Sequence, residues 1–568
     1  MSPSFDKFSS RRSVVYSTKG IVSSSQPTAC QAGIEILKKG GNAADAAVAT
    51  ALALGVVEPM STGLGGDAFC LYWNNTTKSL SAINGSGGAP AALTLEACRT
   101  LGLHGTSIPG NSVHAVTVPG AVAAMLDTID KFGSAKLERE EIFYPAIDLA
   151  EQGFPVSEVT ADQWVEVEDK LQEDYPNGAE LLIDGHNAPR AGDYFRNPNL
   201  AETLREVAAK GRDGFYRGNV AQSIVDTVQN EGGLLTLEDL AQHQSSYEAP
   251  IGLKFKDVEI FECQPNGAGI VALMALKYIQ ELEKGNKIPP IEEIEHNSAE
   301  YLHVIIEALR HAYSDGYKYI ADPRAGIISQ SLLRDDYWDA VASSFSPHQA
   351  DLSITHDSPF AGSDTVYLTT SDAQGNACSF ITSNASNFGC GIVVKGRGFP
   401  LQNRGTGFHL VERSPNCIAP GKRPYHTIIP AMIVRNGELY ASYGVMGGFM
   451  QPQGHLQVLL NLVCFGHTPQ EALDAPRVCI RAGAHLDDDP TKQEEHTTHR
   501  SEVFVEDGIS ATVLDKLVSY GHRVESVVGW KRAMFGRGQI IQPKYSNGVL
   551  VYHAGSDLRG DGHAVPLI

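Results

Sequence analysis

No apolar run in this 568-residue chain reaches the roughly 18 residues that would cross a bilayer. The opening stretch, MSPSFDKFSSRRSVVYSTKG, lacks the apolar core of a secretion signal, and no hydrophobic region follows Arg11-Arg12 to make that pair an export signal. A cytoplasmic location is the resulting expectation. Positive charge is scarce too: 45 Lys and Arg stand against 66 Asp and Glu, a formal net charge of −21. That balance argues against a nucleic-acid or anionic-membrane surface, which needs clustered basic side chains. The nine cysteines form no CxxC pair, and their odd, dispersed count reads as reduced thiols filling the core of an intracellular protein. No Pro/Ser-rich linker divides the chain, and no internal repeat is present. A G-x-S-x-G elbow in a strand–turn–helix setting is missing as well, which leaves a conventional Ser-His-Asp arrangement without support.

What is present is ordinary in bulk, with 42% hydrophobic and 20% charged residues. TACQAGIEILKKGGN reads as a helix from about Thr28, stopped by Gly40-Gly41. AADAAVATALALGVVEP follows as a small-residue helix, and STGLGGDAFCLYW as a glycine turn entering a strand. Helical spacing returns at about 199–210, 217–231, 236–243 and, most clearly, Ala299–Tyr319. Beyond 365 the texture changes to hairpins, with Asn436-Gly437 and Asn547-Gly548 at two of the turns. Helices at about 453–465 and 510–520 are expected to pack between them. The pattern predicts an α+β body of sheets covered by helices. HLDDDPTKQEEHTTHRS (485–501) reads as a solvated surface insertion, because its three histidines match no defined metal-ligand spacing.

One residue is out of place. In GSDTVYLTT (362–370) a threonine follows an aspartate at the first position of a strand. A threonine hydroxyl is a poor nucleophile without a base beside it. Cutting the Asp364–Thr365 bond would supply one, because the freed α-amine, with a pKa of ~7.7–8.0, can accept the hydroxyl proton. The β-branched side chain has few rotamers and keeps Oγ aimed. Strand-initiating threonines are common, however, and spacing alone leaves both readings open.

Ordered motifs along nearly the whole chain carry the matter further. GIVSSSQPTACQAGIEILKKGGNAADAAVA, VVEPMSTGLGGDAF, VPGAVAAM, GFYRGNVAQSIV, GGLLTLEDL, PNGAGIVALMAL, EALRHAYSDGYKYIADP, DTVYLTTSDAQGNACSF, KRPYHTIIPAMIV, GVMGGFMQPQGH and GSDLRGDGHA resemble, in this order, segments of the γ-glutamyltranspeptidase family. Its members are N-terminal-nucleophile hydrolases that cleave themselves before such a threonine. The resemblance implies an αββα sandwich built jointly by a large subunit, 1–364, and a small one, 365–568, in one intertwined body. It implies Thr365 as the nucleophile and Ser383 as the hydroxyl bonded to it. Gly447 and Gly448 would be the oxyanion-hole glycines, whose N–H groups can approach a developing O⁻ without a Cβ in the way. No metal or organic cofactor is implied, and the expected partners are a small amide and the two fragments themselves.

Recognition residues depart from the family pattern. Where glutathione-using members place an arginine against the substrate carboxylate, this chain has Ser86 in NGSGGAP. Where they hold the α-ammonium with a Gln and an Asp, LQNRGTGF gives Arg404 and Gly407. The serine pair of the carboxylate site becomes His426-Thr427, and the segment from Phe408 to Pro424 is too short for a long lid. An ammonium beside Arg404 would be repelled. The expectation is therefore that Arg404, with His426, binds a carboxylate or carbonyl of a substrate lacking that ammonium. These variants resemble the branch that includes oxamate amidohydrolases, although Gly88 stands where that branch is expected to carry an arginine. The readings are a self-processed amidase acting on γ-glutamyl compounds or on small oxamate-like amides, and, against both, an unprocessed inactive member.

Overall fold

The computed structural model describes residues 12–326, 329–354, 364–481 and 501–568. The stretch expected to be a surface insertion lies, apart from Ser501, outside the described residues.

Two sheets stack face to face. The first has six strands in the order His563–Pro566, Gly20–Ser24, Asp364–Asp372, Ala377–Ala385, Asp67–Asn74, Ser79–Asn84. The second has seven: Val15–Ser17, Val549–Ser556, Arg537–Ser546, Glu438–Met446, Ala431–Arg435, Val258–Glu262, Ile251–Phe255. Every pairing within these two sheets is antiparallel. Both sheets draw strands from either side of residue 365, so the expected fragments share both sheets. The described ends of the chain also meet: the Ser17 hydroxyl donates to the Leu567 carbonyl at 3.0 Å, and the Arg12 guanidinium to the Gly562 carbonyl at 2.9 Å.

Helices close the sandwich on both outer faces. Pro27–Lys38 and Ala43–Val57 cover the six-stranded sheet. The second begins at an Asn42–Asp45 capping box, which satisfies the first orphan N–H groups. Small side chains let the pair approach closely, and a Cβ at Gly33 would meet the Thr50 hydroxyl at 2.3 Å. Gly269–Lys284 and Met450–Val463 bury their apolar sides against the seven-stranded sheet, and Ala299–Tyr319 packs on Gly269–Lys284. This is the αββα arrangement expected. Ala299–Tyr319 has the bounds its spacing indicated, and both Asn-Gly turns sit between paired strands with both residues at positive φ.

The helix expected between the hairpins at 510–520 is placed differently. Ala511–Ser519 is the crossover joining the parallel strands Glu502–Glu506 and Arg523–Val527 of a separate three-stranded sheet. Parallel neighbours need such a crossover, whereas a hairpin turn can link only antiparallel ones.

Candidate active site

Alternation along the strand Asp364–Asp372 decides where Thr365 points. Val366 and Leu368 pack in the cluster under the helix Ala43–Val57, so 365, 367 and 369 face the second sheet. Thr365 is 1% exposed. On the neighbouring strand the register slips by one residue between Thr382 and Ala385, a bulge that places Ser383 beside Thr365. The two hydroxyls lie 3.0 Å apart. The Ala385 N–H also reaches the Ser383 oxygen, at 2.8 Å.

Arg404 completes the cluster from the turn Arg404–Gly407. Its Nη2 donates to Ser383 Oγ at 3.1 Å and its Nη1 to Thr427 Oγ1 at 2.9 Å. Among the described residues its Nε has no hydrogen-bond partner. The side chain is 5% exposed, and among the described residues no carboxylate pairs with it. Burial pulls the guanidinium down to about 10, partly opposed by the Asp67 carboxylate, so it is charged at neutral pH. The Gln402 side chain holds the turn, accepting from the Arg404 N–H and donating to Thr117. At Gly407 a Cβ would meet the Tyr425 carbonyl at 2.5 Å. No carboxylate can be built there without moving that chain.

Behind this cluster lies a second one. Asp67 opens the strand paired with Ala377–Ala385, directly across from Ser383. Its Oδ1 accepts from the Gly87 and Gly120 N–H groups at 3.1 and 3.2 Å, and its Oδ2 bonds His426 Nε2 at 3.0 Å. His426 Nδ1 is 3.4 Å from the Ile428 N–H. Burial, and after it the Arg404 charge, pulls His426 down to about 4 despite the Asp67 bond, so the ring is neutral at pH 7. Nε2–H therefore donates to Asp67 and Nδ1 accepts. Both nitrogens are committed within the protein, which removes His426 from direct contact with a substrate anion. The Ser86 hydroxyl accepts from Asn266 Nδ2 at 3.0 Å, and Asn266 in turn accepts from Asn84.

Thr365, Ser383, Arg404 and Thr427 thus form one hydrogen-bonded chain, with His426 and Ser86 one layer behind. The two expected glycines follow the strand Glu438–Met446. Ser442 bonds Thr369 across the sandwich at 2.6 Å, and a Cβ on Gly444 would strike the Tyr367 ring at 2.5 Å. Continued by two residues, that stagger would bring Met446 to the level of Thr365, and Gly447 and Gly448 come next in the chain. Their φ values are 131° and 54°. Such angles favour glycine.

Asp67, Asn84, Asn266 and Gln402 were not singled out in the sequence. Asp67 had one usable signal, a carboxylate directly after Gly65-Gly66 at the entrance to an apolar strand, where a charge needs partners.

Comparison with known proteins gives a consistent set. The family model described as Gamma-glutamyltranspeptidase matches residues 29–567. The chain is 35% identical over 554 residues to the glutathione hydrolase-like YwrD proenzyme of Bacillus subtilis, covering 97% of this chain and 99% of that protein. It is 31% identical to the oxamate amidohydrolase proenzyme of Klebsiella pneumoniae, covering 96% and 98%. A crystal structure of cephalosporin acylase from Bacillus halodurans superposes with a TM-score of 0.86 at 38% identity, covering 99% and 98% of the two chains.

Proposed function

The chain belongs to the γ-glutamyltranspeptidase family, a family of hydrolase/transferase-type enzymes, and on that premise we propose that it is a proenzyme that cuts itself before Thr365. The mature form then hydrolyses a small amide whose acyl part carries a carboxylate.

In maturation, Thr365 Oγ attacks the Asp364 carbonyl carbon, and the acyl group passes from nitrogen to oxygen. Water then hydrolyses the resulting ester, which leaves a carboxylate on Asp364 and a free amine on Thr365. In turnover, that amine takes the hydroxyl proton as Oγ attacks the substrate carbonyl. The Gly447 and Gly448 N–H groups are assigned to the developing oxyanion. The proton passes to the departing amine and the acyl-threonine forms; water then releases the acid, or an acceptor amine carries the acyl group away as a new amide.

The observation that carries the substrate class is the buried Arg404, bonded to Ser383 and Thr427 and lacking a carboxylate partner among the described residues. A guanidinium has five donors, and two are used by these bonds. A carboxylate fits the remaining fork. The positions that would attract an α-ammonium hold Arg404 itself and Gly407, which has no room for an acid. An oxamate-like amide suits this site better than a γ-glutamyl compound. The name of the Klebsiella relative points in the same direction.

The test has two parts. On a denaturing gel the wild type should give two fragments, the smaller beginning at Thr365, and Thr365→Ala a single band; fragments persisting in that variant overturn self-cleavage. Ammonia release from oxamate should then exceed glutamate release from glutathione. A clear preference for glutathione, with turnover unaffected by Arg404→Ala, overturns the substrate reading.

A further inference from the structure

Away from the nucleophile, three buried side chains that no step above uses turn ligand-type atoms toward one another. His303 and Glu307 stand one helical turn apart on Ala299–Tyr319, and His522 immediately precedes the strand Arg523–Val527. One ring nitrogen of each histidine and an oxygen of Glu307 lie within 4.8 Å of one another. His303 Nε2 is 2.8 Å from the Ser346 carbonyl, which can only accept, so that nitrogen carries the proton. His303 Nδ1 therefore presents a lone pair, 2.8 Å from His522 Nε2. Phe345 and Tyr520 pack against the His303 ring, with centroids at 5.4 and 5.3 Å, and hold its plane.

We propose that His303, Glu307 and His522 form a zinc site that clasps the two fragments together. Two imidazoles and one carboxylate are a donor set suited to zinc, with the fourth position left to water. A ligating histidine commonly gives its other nitrogen to a carbonyl, as His303 does to Ser346. Arg310 Nη1 and the Asp351 N–H, at 2.7 and 2.9 Å, orient the Glu307 carboxylate, whose oxygens keep further lone pairs. Burial holds His522 near 3 and pulls His303 below its ordinary value, so protons do not compete for these nitrogens at pH 7. Zinc takes the place of the proton between the rings, and His522 carries that proton on Nδ1 instead. Nitrogens at about 2.0–2.1 Å from a tetrahedral ion stand about 3.3 Å apart, so the rings part by about half an ångström. The charge of Arg310 opposes the ion, and Glu307 and Asp351 offset both. His303 and Glu307 belong to 1–364 and His522 to 365–568, so the ion joins the two fragments. That role rests on the cleavage proposed above; ion binding does not. Tyr313, which bonds the Phe449 carbonyl beside Gly448, is ten residues further along the same helix, about 15 Å away, so the ion takes no part in the amide chemistry.

Metal-free protein titrated with zinc chloride alone should take up one ion per chain, and cobalt in its place should give the visible bands of a four-coordinate ion. His303→Gln and His522→Gln should each weaken uptake by about tenfold or more. Replacing His485, His496 and His499 together by Ala should leave uptake unchanged. X-ray absorption of the zinc-loaded wild type should find two imidazoles around the ion, a readout that needs no variant. The uncut Thr365→Ala chain should bind equally well, which tests the site independently of self-cleavage. In the mature protein, removing zinc should lower the urea concentration at which the fragments separate.

No uptake by the wild type, uptake unchanged in both glutamine variants, or uptake lost with His485, His496 and His499 overturns the zinc site and leaves the proposed function standing. Separation at the same urea concentration with and without zinc overturns the clasp. A wild type that stays uncut removes the proposed function and the clasp with it, and the zinc site then stands or falls on uptake alone.

Discussion

Replacing Asp67 with Asn exchanges one carboxylate oxygen for an NH₂ in a buried site and should have consequences well beyond its size. Three donors converge on the carboxylate: Gly87 N–H, Gly120 N–H and His426 Nε2–H, at 3.1, 3.2 and 3.0 Å. A hydrogen bond to a charged acceptor contributes ~1.5–3 kcal/mol and a neutral one ~0.5–1.5, so neutralising the acceptor costs about 3 kcal/mol over the three. The amide adds a conflict, because its NH₂ faces the Nε2–H of His426. Shifting the imidazole proton to Nδ1 only moves the clash to the Ile428 N–H. One buried donor is left unsatisfied either way, at a cost of about 1–3 kcal/mol. Losing the charge also removes its desolvation penalty, which offsets part of the sum and leaves a net cost of about 3–4 kcal/mol. In a Thr365→Ala background, where the chain stays in one piece, Asp67→Asn should lower the thermal midpoint at pH 7 by about 2–4 °C. A midpoint within about a degree of the parent would refute the hydrogen-bond arrangement derived for Asp67 and His426.

The same background should lose stability in mild acid. Burial holds His243 and His522 down to about 3, and His311 and His426 to about 4, below the ordinary 6.5, so only the unfolded chain binds these protons as pH falls from 6.5. Their contribution is complete above pH 6.5 and is lost as pH drops toward 4; a thermal midpoint that stays flat across that window in scanning calorimetry contradicts it. Gly407→Asp should destabilise the chain without creating glutathione hydrolysis, because its Cβ would meet the Tyr425 carbonyl at 2.5 Å. Measurable glutamate release from that variant would show that the turn can yield. Away from the site, burial pushes the Asp557 carboxyl up, yet Arg477 and Arg559 override it and hold it near 2. Asp557→Ala should cost about 3–5 kcal/mol by leaving two buried guanidinium groups short of a partner, and a denaturant midpoint unchanged from the parent would argue against that pairing.

Much of this architecture is legible in the sequence because its determinants are local. Ala299–Tyr319 announces itself by helical spacing, and Asn436-Gly437 and Asn547-Gly548 by residues that tolerate positive φ. Thr365 and Ser383 stand out through ordered motifs, and their bond spans only 18 positions. Asp67 and His426 are 359 residues apart, and nothing near either one names the other. The cluster around Asn84, Asn266 and Ser86 is equally non-local. Arg404 could be identified as a cation replacing an expected polar pair, but its grip on Ser383 depends on a bulge that no local pattern marks. The strand His563–Pro566 is hidden by its proline, which a sheet tolerates only at an edge.

The meeting of the two described ends offers a way past maturation altogether. With Ser17 touching Leu567 and Arg12 touching Gly562, a short bridge could fuse Ile568 to the chain at Arg12, and the gene could be reopened between codons 364 and 365. Such a circular permutant would be translated with Thr365 directly after the initiator methionine. Its removal would expose the reactive amine with no scissile bond ever having been made, and the ribosome would do what the precursor otherwise does to itself.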